Sequence, residues 1–193
     1  MANVYMRIEQ KPLSDADLRT ILGDNLKILK YSELANVESL DALLPNSKDY
    51  CILLYETEEN SGHWVALLRY TSVNGYDRIE LFDPYGYNPD SELRWVSQRM
   101  RENLGQDEPY LTRLIKQANA TAGYPRVQHS PYHFEKVDKK INTCGHHSSH
   151  RIYRLIHNNM DLHDYWVYME HARQTLKMDY DDVVGEFVQS FGI

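Results

Sequence analysis

Three strand-length runs follow one another in quick succession, and nothing else in the chain narrows the possible folds as much. Tyr50–Glu56, Trp64–Thr71 and Arg78–Phe82 are separated by Glu58-Glu59-Asn60-Ser61-Gly62 and by Ser72-Val73-Asn74-Gly75. Short apolar, aromatic and β-branched runs bounded by Gly, Asn and Ser clusters read as strands joined by tight turns, so this stretch of the chain predicts an antiparallel meander. Within it, Tyr50-Cys51-Ile52-Leu53-Leu54-Tyr55 is apolar throughout, and Cys51 reads as a small buried hydrophobe.

The flanking segments switch to helical spacing. Ser14-Asp15-Ala16-Asp17 resembles a capping box ahead of Leu18, Ile21 and Leu22, with Gly23 as the stop. Pro45-Asn46-Ser47 marks a turn. Ser91 to Met100 predicts a helix ending near Gly105, and Leu111, Leu114, Ile115 and Ala118 predict a second one. After Gly123-Tyr124-Pro125 the segment Arg126–Ser130 reads as a further strand. Helices are then expected from Cys144, over Leu162–Gln174 and over Asp181–Phe191. No repeat, low-complexity tract or linker interrupts the 193 residues, of which 42% are hydrophobic. Residues 1–193 are therefore read as one α+β domain.

Two residues that carry chemistry fall on one edge of the predicted meander. His63 opens the second strand, and Asp83, twenty positions later, closes the third. Side chains opposite each other on antiparallel neighbours have Cβ atoms about 4.5–5.5 Å apart, so an imidazole and a carboxylate placed this way can meet. Pro84 cannot donate to a ladder, which stops the strand at Asp83. Cys144 follows the polar segment Lys136-Val137-Asp138-Lys139-Lys140-Ile141-Asn142-Thr143 and precedes Ile152, Leu155 and Ile156 at helical spacing, which puts it at a helix start. The unpaired N–H groups and positive dipole end there favour an anion. A thiol nucleophile needs a base to form thiolate and an acid residue to orient that base, and the ordered set His63, Asp83, Cys144 supplies all three.

Charge and composition exclude several classes of function. With 21 Lys plus Arg against 28 Asp plus Glu, the net charge of −7 argues against broad binding to nucleic acid phosphates and leaves at most a local basic patch. Lys136, Lys139, Lys140, Arg151 and Arg154 are close enough in sequence to form one, although a solvated surface around a helix end accounts for them equally well. No apolar stretch approaches the ~20 residues of a membrane span, and Met1–Arg7 lacks the apolar region of a signal peptide, so an intracellular protein is expected. Two cysteines, Cys51 and Cys144, make a disulfide framework an unneeded assumption.

The segments Gly62-His63-Trp64, Leu81-Phe82-Asp83-Pro84-Tyr85-Gly86 and Asn142-Thr143-Cys144-Gly145 resemble those of the adenovirus maturation protease group, which shares its plan with the SUMO- and ubiquitin-like-protein proteases. The resemblance covers about Tyr50 to Ile156 and is strongest toward capsid-maturation proteases of DNA viruses, virophages and large transposable elements. It implies a central mixed, largely antiparallel sheet flanked by helices, with the nucleophile at a helix N-terminus (the adenain-like fold). It further implies a cysteine endopeptidase in which Cys144 attacks, His63 accepts and returns the proton, and Asp83 orients His63. Family members stabilise the oxyanion with a glutamine several residues before the cysteine. Here the nearest upstream glutamine is Gln128, sixteen residues before, with Asn142 as the competing donor. Trp64 resembles the tryptophan that walls the substrate channel, implying a preference for Gly-containing sites. Capsid precursors are the implied substrates and a monomer the implied state. The implied location is the host cytoplasm or virus factory, with packaging into the virion as a further implication. No cofactor is required on this reading. An activating peptide or DNA is known in the adenovirus enzyme but has no support in this acidic sequence.

Three rival readings remain open at this level. Cys144, His146, His147 and His150, backed by His129 and His133, offer ligands for structural zinc, although neighbouring helix positions point about 100° apart and only His146 and His150 share a face. The site residues are otherwise read without a metal. A modifier-removing isopeptidase of the same plan would use the same thiol relay. A non-enzymatic scaffold would carry no thiol of unusual reactivity.

Overall fold

The computed structural model describes residues 11–138 and 140–193; the readings made on Met1–Arg7 and on Lys139 fall outside the described residues. Five strands form one sheet in the order of the sequence: β1 Lys27–Lys30, β2 Tyr50–Glu58, β3 Ser61–Thr71, β4 Asp77–Phe82 and β5 Val127–His129. The meander is as expected, with β2 antiparallel to β3 (Leu54 opposite Trp64) and β3 antiparallel to β4 (Ala66 opposite Phe82). The outer pairs, β1 with β2 and β4 with β5, are parallel, so the sheet is mixed.

Alternation along these strands feeds two cores. Leu54, Trp64, Ala66, Leu68 and Phe82 face one side, where they meet Ile152, Leu155, Tyr165, Met169 and Val184. Cys51, Leu53, Tyr55, Val65, Leu67, Ile79 and Leu81 face the other and meet Leu34, Leu40, Leu111 and Leu114. A sheet covered on both faces needs apolar side chains at odd and even positions alike, which is why β2 reads as an unbroken apolar run. Cys51 is fully buried, as expected, and burial pushes its thiol up to about 12.

Seven α-helices among the described residues complete the α+β architecture: α1 Asp15–Leu22, α2 Leu40–Leu43, α3 Gln98–Leu104, α4 Tyr110–Ala122, α5 Cys144–Asn158, α6 Leu162–Leu176 and α7 Tyr180–Gln189. The α1 capping box forms, with Asp17 N–H donating to Ser14 Oγ and Ser14 N–H donating to Asp17. The helix expected from Ser91 to Gly105 is instead divided. Ser91–Trp95 is a 3-10 turn, and Ser97 then caps α3 by accepting from Met100 N–H. Serine competes with the helical backbone for its own hydrogen bonds, so it restarts a helix where the hydrophobic spacing alone suggested continuity. No helix among the described residues is long and apolar enough to cross a membrane.

The central helix α5 is buried almost all round although its sequence is polar: His146, His147, Ser148, Ser149, His150 and Arg151 are each at most 1% exposed. This corrects the reading of Arg151 as part of a solvated basic surface. The strand alternation that faces Phe82 toward α5 also faces Glu80 there, and Arg151 donates to both Glu80 carboxylate oxygens at 2.8 and 2.7 Å. Arg154 lies over the Tyr168 ring, and Lys136 pairs with Asp179. Lys136, Arg151 and Arg154 are thus drawn to separate partners.

Candidate functional site

The three residues singled out in sequence converge where the β3 start, the β4 end and the α5 N-terminus meet. His63 stands in β3 opposite Tyr55, three residues before Ala66, which itself pairs with Phe82, and Asp83 follows directly. The ring Nε2 of His63 lies 3.0 Å from Asp83 Oδ1. The same oxygen accepts from Tyr85 N–H at 2.9 Å, and the Tyr85 ring stacks on His63 with centroids 4.7 Å apart, so both carboxylate and imidazole are held in orientation. Cys144 is the first residue of α5, and its sulfur lies within 4.8 Å of a His63 ring nitrogen. His63, Asp83 and Cys144 are 7%, 3% and 7% exposed, which leaves the sulfur accessible only from one side.

Charge in this pocket is coupled. Burial opposes protonation of His63, but the Asp83 carboxylate and the Cys144 sulfur outweigh it and raise the imidazole well above its ordinary value. An imidazole that readily accepts a proton beside a thiol is the electrostatic condition for a thiolate–imidazolium pair.

The helix that presents Cys144 is anchored at its first turn. Thr143 Oγ1 donates to Asp181 Oδ1 at 2.6 Å, and His147 Nε2 meets the same oxygen at 3.0 Å, tying α5 to α7. Ser148 Oγ donates to the Trp64 carbonyl at 3.2 Å, tying it to β3. Gly145 allows the close packing between them, since a Cβ there would stand 3.2 Å from Leu13 Cβ and 3.3 Å from Trp64 Cδ1. Trp64 itself borders a cleft of about 680 Å³ beside the site, walled also by Leu13, Ile28, Leu54 and Gly62 with Lys30 and Glu33 at its rim.

Gln128 is not brought to this group. Its amide nitrogen donates to the Tyr70 hydroxyl, and Tyr70 lies seven residues along β3 from His63, roughly 23 Å away at about 3.3 Å per residue. The register that pairs Gln128 with Glu80 carries its side chain to the Glu80–Arg151 ion pair instead. Asn142, the competing donor, immediately precedes Thr143 in the approach to α5.

Two buried acids join the site that sequence reasoning passed over. Glu135, 4% exposed, accepts from Thr143 N–H through Oε1 at 3.0 Å, and one of its carboxylate oxygens, the Cys144 sulfur and a His63 ring nitrogen all lie within 4.8 Å of one another. Glu92 has a carboxylate oxygen equally close to His63 and Asp83. Nothing local in Phe134-Glu135-Lys136 or in Ser91-Glu92-Leu93 marks either residue, because their burial is set by chain segments distant in sequence. Each grouping gathers three ionisable side chains whose nearest polar atoms lie within 4.8 Å of one another. Of the α5 histidines weighed as zinc ligands, His147 is engaged with Asp181 and His150 with Tyr165 and Arg154.

No family model matches the chain. Among curated proteins it is 28% identical, over 177 residues, to uncharacterized protein V9 of Sputnik virophage, a match spanning 91% of this chain and 93% of that protein. Among solved structures it is similar to the ASFV pS273R protease, with a TM-score of 0.46 and 13% identity; the match spans 81% of this chain and 61% of that one.

Proposed function

We propose that this chain is a cysteine endopeptidase that cuts precursor proteins of a viral particle. The observation that carries the reading is the buried line Asp83–His63–Cys144, in which a carboxylate 3.0 Å from the imidazole holds the ring against a thiol at a helix N-terminus. In the proposed reaction His63 takes the Cys144 proton as sulfur attacks the scissile carbonyl. The imidazolium then protonates the leaving amine, and water, deprotonated by the same ring, hydrolyses the thioester. Asp83 stabilises the imidazolium and fixes the ring's orientation.

The cleft beside Trp64 is the proposed path of the peptide, with Gly-containing sites preferred where the chain passes Trp64. The similarity to a virophage protein over nearly the whole of both chains supports a viral setting and therefore a capsid precursor as substrate. Co-expression of candidate capsid precursors with the wild type or with Cys144→Ala, followed by mass spectrometry of new termini, tests the proposal. New termini in the wild type alone are expected. Identical termini in both, or reaction with a ubiquitin-like C-terminal probe and no precursor cleavage, would contradict it.

A further inference from the structure

A thiol protease must also stabilise the negative charge that develops on the carbonyl oxygen, and neither Gln128 nor any other glutamine is hydrogen-bonded beside Cys144 among the described residues. The α5 N-terminus supplies backbone N–H groups. Besides Asn142, which precedes Thr143 in the chain, a buried polar side chain close to the thiol is Glu135.

Its placement is fixed at both ends. The backbone N–H groups of Phe134 and Glu135 donate to the Pro84 carbonyl at 2.9 and 3.0 Å, next in sequence to Asp83. The side chain reaches across to Thr143, whose N–H donates to Oε1. The other oxygen, Oε2, is fully buried and meets no partner in good hydrogen-bonding geometry, with the Tyr85 hydroxyl standing near this carboxyl group. A buried carboxylate with a bare oxygen beside a thiolate would be doubly unfavourable, through desolvation and through repulsion. A neutral carboxylic acid removes both penalties. With Oε1 already accepting from Thr143, its proton belongs on Oε2, in a carboxyl group that has an oxygen within 4.8 Å of the Cys144 sulfur and of a His63 ring nitrogen.

From this geometry, and resting on the cysteine-peptidase reading above, we infer that Glu135 acts as a neutral acid whose Oε2–H donates a hydrogen bond to the oxyanion, doing with a carboxyl group what a glutamine amide would do. When the Cys144 sulfur bonds to the carbonyl carbon, the carbonyl π pair moves onto oxygen, and Glu135 donates to that oxygen without giving up its proton. On collapse the pair returns, the carbon–nitrogen bond breaks, and the amine leaves with the proton from His63. Preorganised donors of this kind act at about 2.7–3.1 Å from the oxyanion, within reach of an atom so close to the sulfur.

The surroundings agree. Burial pushes Glu135 up to about 7, with His147 and His63 pulling against it and Asp181 adding to it. The titratable groups facing it are His63 from β3, Tyr85 from the turn after β4, Cys144 and His147 from α5 and Asp181 from α7. Tyr85 is itself raised by burial and by Glu135, and so stays neutral. The donor is therefore lost as pH rises through the Glu135 titration.

Three forms of the full chain test this: wild type, Glu135→Gln and Glu135→Ala, each assayed for p-nitrophenyl acetate hydrolysis from pH 5 to 9. Cys144 alkylation by iodoacetamide, which forms no oxyanion, is followed alongside. Glu135→Gln is expected to keep turnover within about 10-fold and to lose the alkaline decline of the wild type, because an amide donates at every pH. Glu135→Ala is expected to lose roughly 10²–10³ in kcat with little change in KM or in alkylation rate. Wild-type turnover in Glu135→Ala, or an unchanged alkaline decline in Glu135→Gln, overturns the role of Glu135 while fast alkylation of Cys144 preserves the peptidase reading. If the alanine variant does not fold, the pH profile of Glu135→Gln decides alone. A Cys144 that alkylates no faster than Cys51 in the wild type overturns the peptidase reading, and this inference with it.

Discussion

Substituting Gly62 by alanine tests how tightly the strand geometry sets the candidate site. Gly62 lies opposite Glu56 and beside the irregularity between Glu56 and Glu58, and a Cβ at this position would fall 1.9 Å from the Tyr55 carbonyl oxygen and 2.8 Å from its carbon. Contacts under 3.0 Å are not tolerated, and the neighbouring atoms are backbone, so the β3 start must move by at least about 1 Å. Overpacking of this kind costs about 1–3 kcal/mol. His63 is the next residue, and its alignment with Asp83 and Cys144 moves with the strand. A misplacement of about 1 Å in a reacting group costs roughly 10²-fold in rate. Gly62→Ala should therefore lower the urea midpoint modestly and reduce ester hydrolysis by about two orders of magnitude, while Val73→Ala, at an 85% exposed position of the turn between β3 and β4, should change neither. A Gly62→Ala variant with wild-type turnover and an unchanged midpoint would refute the claim that this close approach positions His63.

Further outcomes follow from the same geometry. Asp83→Asn should leave the chain folded by circular dichroism and slow turnover by roughly 10²–10⁴-fold, because the carboxylate orients and stabilises the ring without taking its proton; unchanged kinetics would remove Asp83 from the relay. Arg151→Met should cost about 3–5 kcal/mol in urea unfolding by stranding Glu80, whereas Arg151→Met with Glu80→Met should recover most of that loss, since both side chains of the pair are 0% exposed; additive losses would contradict a directly coupled pair. His146 is held neutral by burial and stays unprotonated down to about pH 3, while in the unfolded chain it charges below about 6.5. Unfolding therefore takes up a proton in this window, and His146 makes stability fall as pH falls by up to ~1.4 kcal/mol per pH unit. Comparing urea unfolding of the wild type and His146→Gln at pH 5 and 6.5 should show a shallower pH dependence in the variant; equal slopes would contradict the assignment.

The meander and the edge that carries the candidate site were legible in the sequence because their signals are local. Turn residues between strand-length runs fixed β2 to β4, and once those pair antiparallel, His63 and Asp83 must share an edge. The start of α5 at Cys144 was legible for the same reason, from a polar segment giving way to helical spacing. β1 was not, since Lys27-Ile28-Leu29-Lys30 is four residues long and is made a strand by its parallel partner β2. The polar sequence of α5 likewise hid its burial: His147 and Arg151 are tolerated inside because Asp181 and Glu80, distant in sequence, satisfy them. Gln128 shows the opposite error. Residue type and order suggested an oxyanion donor, but strand register sent its side chain to Tyr70, and the acid that does stand beside the thiol, Glu135, carries no local signature.

The rate of Cys144 alkylation by iodoacetamide as a function of pH, read by peptide mapping against Cys51 in the wild type and in His63→Ala, tests the thiol–imidazole coupling most directly. The account predicts fast reaction of Cys144 already at pH 6, an inert Cys51, and loss of the Cys144 advantage when His63 is removed. A Cys144 rate that rises only as an ordinary thiol ionises, near pH 8.5, and is the same without His63 would contradict it.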